Sequence, residues 1–336
     1  MLQPMKAVVG LVACLGLALG CVVHCDAQTA PEAGAKLRPE IDKFIAYMAE
    51  THGFNARDLR ALFAKVQPSQ DVTRAMTAPS TAKPWYEFKP LFVDQARISA
   101  GVKFWNDNAE VLAQARGEFG VPEAIVVALI GVETRYGRNS GGFRVMDTLT
   151  TLAFDWPSRR DFFRRELEQF LLLAREQGWD PLMIKGSFAG AMGMPQFMPG
   201  SYRRYAVDFD GSGEADLRAS PSDAIGSVAN FLEKHGWQRG ERVQLPARVA
   251  GDAPRPLVDA GIEPKTSLGE LKRYGVETRT DLPLETPVSL IELESPGAPT
   301  EYRLGLRNFY VLTRYNRSVL YASTVCDLAE EIKAKR

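Results

Sequence analysis

The sequence AIVVALIGVETRYG at residues 124–137 places a single carboxylate, that of Glu133, at the end of a long apolar run. No residue of this run before Glu133 is charged. Pro122 suits the first turn of a helix because its missing N–H leaves no donor unpaired there. Gly137 is a residue at which helices commonly end. The pattern therefore predicts a helix over 121–137.

On such a helix the carboxyl group shares a face with core residues, since Ile125, Leu129 and Glu133 fall at i, i+4 and i+8. Desolvation penalises the charged form, so a carboxyl group held against apolar neighbours stays protonated to higher pH. A general acid that works near neutral pH requires this property. The simpler alternative is a glutamate at a helix end that pairs with Arg135 or another base.

Composition indicates one or two well-packed globular domains, because 45% of the 336 residues are hydrophobic and 24% are charged. Lys plus Arg number 41, as do Asp plus Glu, so the net charge favours neither a nucleic acid nor an acidic partner. We expect a monomer that does not bind nucleic acid.

The N-terminus has the pattern of a targeting segment. An apolar run over 7–23 follows Lys6, and Cys25-Asp26-Ala27 forms a small-x-small cleavage site. Residues 1–27 are therefore predicted to be a signal peptide, residues 28–37 a linker, and the protein to be exported to the periplasm.

The cysteines leave the processing of this segment open. Cleavage after Ala27 would leave Cys326 as the one thiol. The segments that end at Cys14 and Cys21 both resemble a lipoprotein cleavage box. A soluble export product is favoured, and a lipid anchor to the outer membrane is the alternative.

Helical periodicity dominates the chain up to residue 240. Apolar stripes predict helices over 38–114, a further helix over 160–177 and another over 221–235. Ser220 can cap the last of these.

After Gly240, stretches broken by Pro and Gly indicate a small β-containing unit. Strands are predicted around 243–245 and 288–293, and a longer strand-like run over 302–315. A final helix is predicted over 324–335.

The segment GSFAGAMGMPQFMPG at 186–200 holds four glycines and two prolines within 15 residues, so it does not form an ordinary helix. Small residues let a backbone approach a ligand closely. Ser187 and Gln196 are its polar side chains. The alternative is a tight packing loop.

The segment DFDGSGEAD at 208–216 matches much of an EF-hand calcium loop, with oxygen ligands at positions 1, 3 and 5 and Gly at 6. Position 12 is Ala219 instead of Glu. The candidate metal ligands are Asp208, Asp210, Ser212, Glu214 and Asp223. We expect a structural calcium ion; an Asx-turn loop without metal is the alternative.

The segment NFYVLTRYN at 308–316 carries aromatic and amide residues that suit stacking on a sugar ring. On a strand they suit a protein core equally well.

Together these five segments, in this order, resemble the lytic murein transglycosylases of the B type. The resemblance runs from about residue 38 to 330. It implies a mainly α fold, in which a lysozyme-like helical core carries an α domain, an EF-hand-like loop and a small β domain. The predicted boundaries are 38–100 for the α domain, 101–240 for the catalytic core with the EF-hand-like loop 208–223, 241–300 for the small β domain, and 301–336 for the return to the core with a C-terminal helix.

The resemblance also implies cleavage of the MurNAc–GlcNAc β-1,4 bond of peptidoglycan, with formation of a 1,6-anhydro-muramic end and no catalytic cofactor. It assigns the catalytic acid to Glu133. The glycan-groove positions that it implies are Ser187, Gln196, Tyr315 and Asn316, together with Arg159 and Arg160. Its implied partners are peptidoglycan strands and other cell-wall enzymes.

Two alternatives compete with a one-carboxylate transglycosylase. A lysozyme-type hydrolase would bring a second carboxylate from Asp147 or Asp155, because ordinary glycosidases use two. A non-catalytic wall-binding protein would keep the aromatic groove without needing Glu133. The sequence leaves open cleavage at strand ends or interiors and any preference among peptide stems.

Overall fold

The computed structural model describes residues 37–77, 83–251 and 254–336. The predicted signal peptide, the linker up to residue 36 and the three N-terminal cysteines lie outside these ranges. The assignments of export and of lipid attachment therefore stay predictions. Within the described ranges, no helix has the length and apolar character needed to cross a bilayer.

The described chain is mainly helical, as predicted. The helices in chain order are α1 (Pro39–His52), α2 (Ala56–Phe63), α3 (Gln70–Thr77), α4 (Trp85–Phe88), α5 (Gln95–Asp107), α6 (Ala109–Phe119), α7 (Glu123–Thr134), α8 (Val145–Phe154), α9 (Arg160–Glu176), α10 (Pro199–Tyr205), α11 (Pro221–Lys234), α12 (Arg255–Asp259), α13 (Leu268–Arg273), α14 (Arg307–Tyr315) and α15 (Val319–Lys335). The strands are β1 (Phe143–Arg144), β2 (Lys185–Gly186), β3 (Gln244–Val249), β4 (Thr266–Ser267), β5 (Val276–Glu277), β6 (Pro287–Leu293) and β7 (Glu301–Gly305).

The helical core is built around α7, against which α5, α6, α11 and α15 pack. Every residue from Ala124 to Val132 is buried. A helix enclosed on all sides must be apolar on all sides, which explains why the run lacks a polar stripe.

The small β unit has its own apolar cluster, which includes Leu245, Leu268, Leu290 and Leu304. Its five strands form an antiparallel sheet in the order β4-β6-β7-β3-β5. This unit confirms the small β-containing part that the sequence indicated. The domain boundaries given above stay predictions.

Several predicted helices are confirmed closely. The helices predicted over 160–177 and 221–235 correspond to α9 and α11. Ser220 caps α11, because its Oγ accepts the Asp223 N–H at 3.2 Å. The C-terminal helix begins at Val319, five residues earlier than expected, where Ser318 caps it.

The strand predicted over 302–315 is confirmed only up to Gly305 and is wrong beyond it. Strand β7 ends at Gly305 and α14 follows. Asn308 fixes the start of α14: its buried amide donates to the carbonyls of Gln238 and Glu241 and accepts the Gln238 N–H. These tertiary contacts override the strand preference of the aromatic and β-branched residues in this segment.

Candidate active site

The helix that carries Glu133 ends abruptly. It stops at Thr134, three residues before the predicted end at Gly137. Arg135 and Tyr136 then take left-handed backbone conformations, with φ of 50° and 62°. Such conformations are strained in residues other than glycine. They are held here because the Tyr136 hydroxyl donates to the carbonyl of Arg97 at 3.0 Å.

Two glycines make room for the Tyr136 ring between α5 and α7. A Cβ atom at Gly101 or at Gly131 would overlap the Tyr136 side chain. The ring also packs on Phe104, with 5.4 Å between centroids. The turn after Glu133 is therefore locked into the core.

Thr134 joins the end of α7 to the glycine-rich segment. Its Oγ1 donates to the carbonyl of Met194 at 2.8 Å and accepts the Gly137 N–H at 2.9 Å. Because Thr134 is adjacent to Glu133, this bond fixes the segment 186–200 relative to the carboxyl group.

Glu133 is partly exposed and has one strong hydrogen-bond donor, the hydroxyl of Tyr321, at 2.5 Å from its Oε1. Burial against apolar neighbours raises the pKa of Glu133 from 4.5 to about 7, and the Tyr321 hydroxyl offsets part of that rise. Across the described ranges, no ion pair reaches Glu133. The structure thus does not show the alternative of a helix-end ion pair with Arg135.

One tyrosine from α14 and one from α15 lie near this carboxyl group. The Tyr315 hydroxyl donates to the carbonyl of Pro195 at 2.5 Å, and its ring packs edge-on against Phe231, with 4.9 Å between centroids. Burial raises the pKa of Tyr315 and of Tyr321 well above 10, and the nearby charge of Glu133 raises both further. Both hydroxyl groups therefore stay protonated in the physiological range.

The glycine-rich segment presents its two polar side chains from fixed backbone positions. Ser187 follows β2, and its Oγ accepts the Ala191 N–H at 3.1 Å. Gln196 has a left-handed φ of 51°, and its Nε2 donates to the carbonyls of Ser140 and Gly193, each at 3.0 Å. The alternative of a packing loop is thus partly correct, because both side chains also hold the loop together.

The structure brings Gln196 and Tyr315 to one pocket. The other predicted groove residues, Ser187, Asn316, Arg159 and Arg160, do not line this pocket. Arg159 precedes α9, with its guanidinium 4.2 Å from the centroid of the Phe162 ring. Arg160 and Asn316 are exposed. In the part of the chain that the structure describes, no hydrogen bond links these three to Glu133 or Tyr315.

The two candidates for a second carboxylate are engaged elsewhere. Asp147 is held by Arg144, at 2.6 and 2.8 Å, and accepts the Gln67 N–H at 3.0 Å. Asp155 pairs with Arg38. Neither is among the causes that set the pKa of Glu133, which burial raises and the Tyr321 hydroxyl partly lowers.

The loop after α10 gathers three carboxylates. Oxygen atoms of Asp208, Asp210 and Asp223 lie within 4.8 Å of one another. Asp223 is fully buried and accepts the N–H groups of Phe209 and Asp216, each at 2.8 Å. Hard oxygen ligands of this kind fit calcium.

The other two predicted metal ligands behave differently. The Glu214 carboxylate does not belong to the cluster, so its prediction as a side-chain ligand is not supported. Its position in the calcium-loop pattern calls for a backbone carbonyl instead. That carbonyl accepts the Ser212 hydroxyl at 3.1 Å.

Sequence reasoning missed Tyr321, the residue that contacts Glu133 most directly. The final helix was predicted to begin at Thr324, which left Tyr321 outside any element. The available signal was Ser318, a good cap three residues earlier in the chain.

Comparison with known proteins agrees with this architecture. Residues 36–330 match the family described as the transglycosylase SLT domain. The chain is 41% identical to the membrane-bound lytic murein transglycosylase B of Escherichia coli K12, over 89% of this chain and 84% of the relative.

Solved structures agree as well. The soluble lytic transglycosylase SltB1 of Pseudomonas aeruginosa is 48% identical with a TM-score of 0.83, covering 89% of this chain and 99% of that one. The Escherichia coli lytic transglycosylase SLT35, solved in complex with calcium, is 40% identical with a TM-score of 0.80, covering 89% and 94%. The chain therefore belongs to the SLT transglycosylase family and is a lytic transglycosylase, an enzyme that cleaves peptidoglycan.

Proposed function

We propose that this enzyme cleaves the MurNAc–GlcNAc β-1,4 bond and leaves 1,6-anhydro-MurNAc ends, with Glu133 as its single general acid and base. The observation that carries the proposal is the setting of Glu133: a carboxyl group with a pKa raised to about 7, one neutral donor and no ion pair from the described residues.

In the first step, protonated Glu133 donates its proton to the glycosidic oxygen as the C1–O bond breaks. The N-acetyl group of the same sugar stabilises the positive charge that develops at C1. Burial favours the protonated carboxyl group that this step consumes.

In the second step, the Glu133 carboxylate accepts the proton of the C6 hydroxyl while O6 bonds to C1. The ring closes without water, and the carboxyl group regains its starting state. A group with a pKa near the working pH suits both steps, because it donates and accepts a proton with little cost in either direction.

Tyr321 positions the reacting carboxyl group. Its hydroxyl holds Oε1 of Glu133, and we assign the two proton transfers to the other carboxyl oxygen. Because burial keeps Tyr321 protonated, it donates to either state of the carboxyl group.

Around this centre, we assign Ser187, Gln196, Tyr315, Asn316, Arg159 and Arg160 to the glycan groove. The pocket shared by Gln196 and Tyr315 supports part of this assignment. A related structure adds support for the product: SltB3 of Pseudomonas aeruginosa, 30% identical with a TM-score of 0.75, was solved with NAG-anhNAM-pentapeptide.

The test compares wild type with Glu133→Gln on purified sacculi, with the products analysed by mass. We expect anhydro ends from wild type and a loss of roughly a thousandfold in turnover from the variant. Glu123→Gln, at the other end of the same helix, is the matched control. Reducing ends from wild type would favour a hydrolase, and absence of turnover in wild type would favour a wall-binding protein.

We also propose that the loop 208–223 binds a structural calcium ion through Asp208, Asp210 and Asp223. The oxygen cluster supports this assignment, and so does the calcium complex of the Escherichia coli relative. The ion takes no part in the two proton transfers.

For location, we propose export to the periplasm through the signal peptide 1–27, as a monomer that acts on peptidoglycan strands beside other cell-wall enzymes. One relative is named membrane-bound and another soluble, so a lipid anchor stays the alternative. The mass of the mature N-terminal peptide tests this: cleavage after Ala27 and a diacylated Cys14 or Cys21 give different masses.

A further inference from the structure

One pocket, of about 200 Å³, combines two of the proposed glycan-groove residues with basic side chains. Gln196 and Tyr315 line it together with Arg204, His235 and Arg314. Phe231 lies between the two sets, because its ring meets Tyr315 edge-on and stacks on His235, with 4.0 Å between the centroids of Phe231 and His235. A substrate that enters this pocket against Tyr315 therefore also comes near the two arginines.

The two arginines come from different helices. Arg204 lies on α10 and Arg314 on α14, and both side chains are exposed. Over the described ranges, neither guanidinium forms an ion pair or a hydrogen bond, whereas the neighbouring Arg203 is held by Glu176 at 2.6 Å. Arg204 also lies 5.7 Å from the centroid of the Tyr205 ring, and its charge acts on the carboxyl group of Glu166, which accepts the Gly200 N–H. Guanidinium groups that are free of ion pairs can bind a carboxylate with paired hydrogen bonds.

His235 reports on the charge of this pocket. Its Nδ1 lies 2.7 Å from the Phe231 carbonyl, which only accepts, so Nδ1 carries the proton. Burial lowers the pKa of His235 below 6.5, and the charges of Arg314 and Arg204 lower it further. The charges of both guanidinium groups therefore act on His235, which is neutral at pH 7. The positive charge of the pocket comes from the two arginines.

We propose that this pocket binds a carboxylate of the peptide carried by the glycan, through Arg204 and Arg314. The inference rests on the proposed function, since it takes the glycan to lie against Tyr315 and Gln196. Peptidoglycan sugars carry peptides with free carboxylates, and a pocket beside the groove admits such a substituent while the sugar stays in place. The arginine pair makes the enzyme selective for peptide-bearing strands.

The first test measures kcat/KM on peptide-bearing glycan strands and on strands from which an amidase has removed the peptides. Arg204→Gln and Arg314→Gln are each expected to lose about tenfold more kcat/KM on the peptide-bearing strands than on the stripped strands. Arg317→Gln, an exposed arginine outside the pocket, is the matched control and keeps the wild-type ratio.

An equal loss on both substrates would overturn the proposal, because the stripped strands retain only the lactyl carboxylate of the sugar. An unchanged ratio would overturn it as well. The products distinguish failure of this proposal from failure of the proposed function. If every variant still forms anhydro ends, the transglycosylase reaction is supported, whatever the ratio of kcat/KM on the two substrates.

The second test reads His235 directly by NMR in the Glu133→Gln protein. Addition of NAG-NAM-pentapeptide is expected to raise the pKa of His235, because a bound carboxylate neutralises the arginine charges that depress it. The disaccharide without peptide should leave the pKa unchanged. His52, paired with Glu168 at 2.9 Å, is the internal reference. No difference between the two ligands would contradict the proposal.

Discussion

Two carboxylates of this enzyme, Glu133 and Asp223, are both shielded by protein but have opposite surroundings. Glu133 ends an apolar helix and receives one hydroxyl donor. Asp223 begins a helix and receives three backbone N–H groups, from Phe209, Asp210 and Asp216. The first environment disfavours negative charge, and the second solvates it.

The difference shows that the number of donors, more than burial alone, decides what a carboxylate does. Asp210, in the same loop as Asp223, has its pKa lowered by hydrogen bonds from Ser220 and Ser212. Glu133 has its pKa raised to about 7 because burial outweighs its one donor. An acid–base catalyst requires a site like that of Glu133, which disfavours negative charge. A stable metal loop requires a site like that of Asp223, which receives several donors.

The largest effect on stability is expected from Asp223→Ala. This change leaves up to three N–H groups without an acceptor and removes the bonds between α11 and its loop. The free energy of unfolding should fall by about 3 kcal/mol, measured by urea denaturation. Glu214→Ala, at an exposed position in the same loop, is the control. Equal small losses in both variants would show that Asp223 does not hold the loop.

Replacement of Glu133 is expected to increase the free energy of unfolding, whereas replacement of Asp223 decreases it. As pH rises through the window from 4.5 to 7, the unfolded chain releases this proton while the folded chain retains it, so wild type loses stability. Glu133→Gln removes that loss. Its unfolding free energy relative to wild type should therefore increase between pH 4 and pH 8, by about 3 kcal/mol at most. A difference that does not vary with pH would contradict the raised pKa.

Tyr321→Phe should sharpen the contrast between the two carboxylates. Loss of the hydroxyl removes the one interaction that lowers the pKa of Glu133, so that pKa should rise further, by about one unit. The pH profile of kcat should shift to higher pH. Tyr310→Phe makes the same change on α14 at a tyrosine that has no hydrogen bond to Glu133, and it should keep the wild-type profile. A shift to lower pH in Tyr321→Phe would be inconsistent with this network.

The smallest effect is expected from calcium. Binding to the folded loop alone should raise Tm by a few degrees, as for any ligand that prefers the native state. Asp210→Asn should abolish the increase, and Glu214→Gln should retain it because the Glu214 carboxylate lies outside the cluster. An equal increase in both variants would place the ion elsewhere.

Local patterns predicted much of this molecule. The cap at Ser220 and the apolar run before Glu133 are local signals, and the corresponding helices are confirmed. The segment from Arg307 to Tyr315 was wrongly predicted as a strand. Its helical conformation depends on hydrogen bonds from Asn308 to Gln238, 70 positions away, which no local pattern reveals.

The residues of the candidate site also divide into those with a local sequence signal and those placed by long-range contacts. Glu133 was identifiable because its signal lies within one helix. Tyr321 was not, because it contacts Glu133 across 188 residues of sequence. The left-handed turn at Arg135 and Tyr136 was also missed, since it depends on space left by Gly101 on another helix. Long-range contacts of this kind have no local signature.

The most direct test of the account is a titration of the Glu133 side chain by carbon NMR in the substrate-free enzyme, assigned by its absence in Glu133→Gln. A carboxyl pKa of about 7 is expected. A pKa near 4, the range of an ordinary exposed glutamate, would contradict the claim that this one residue serves as both acid and base.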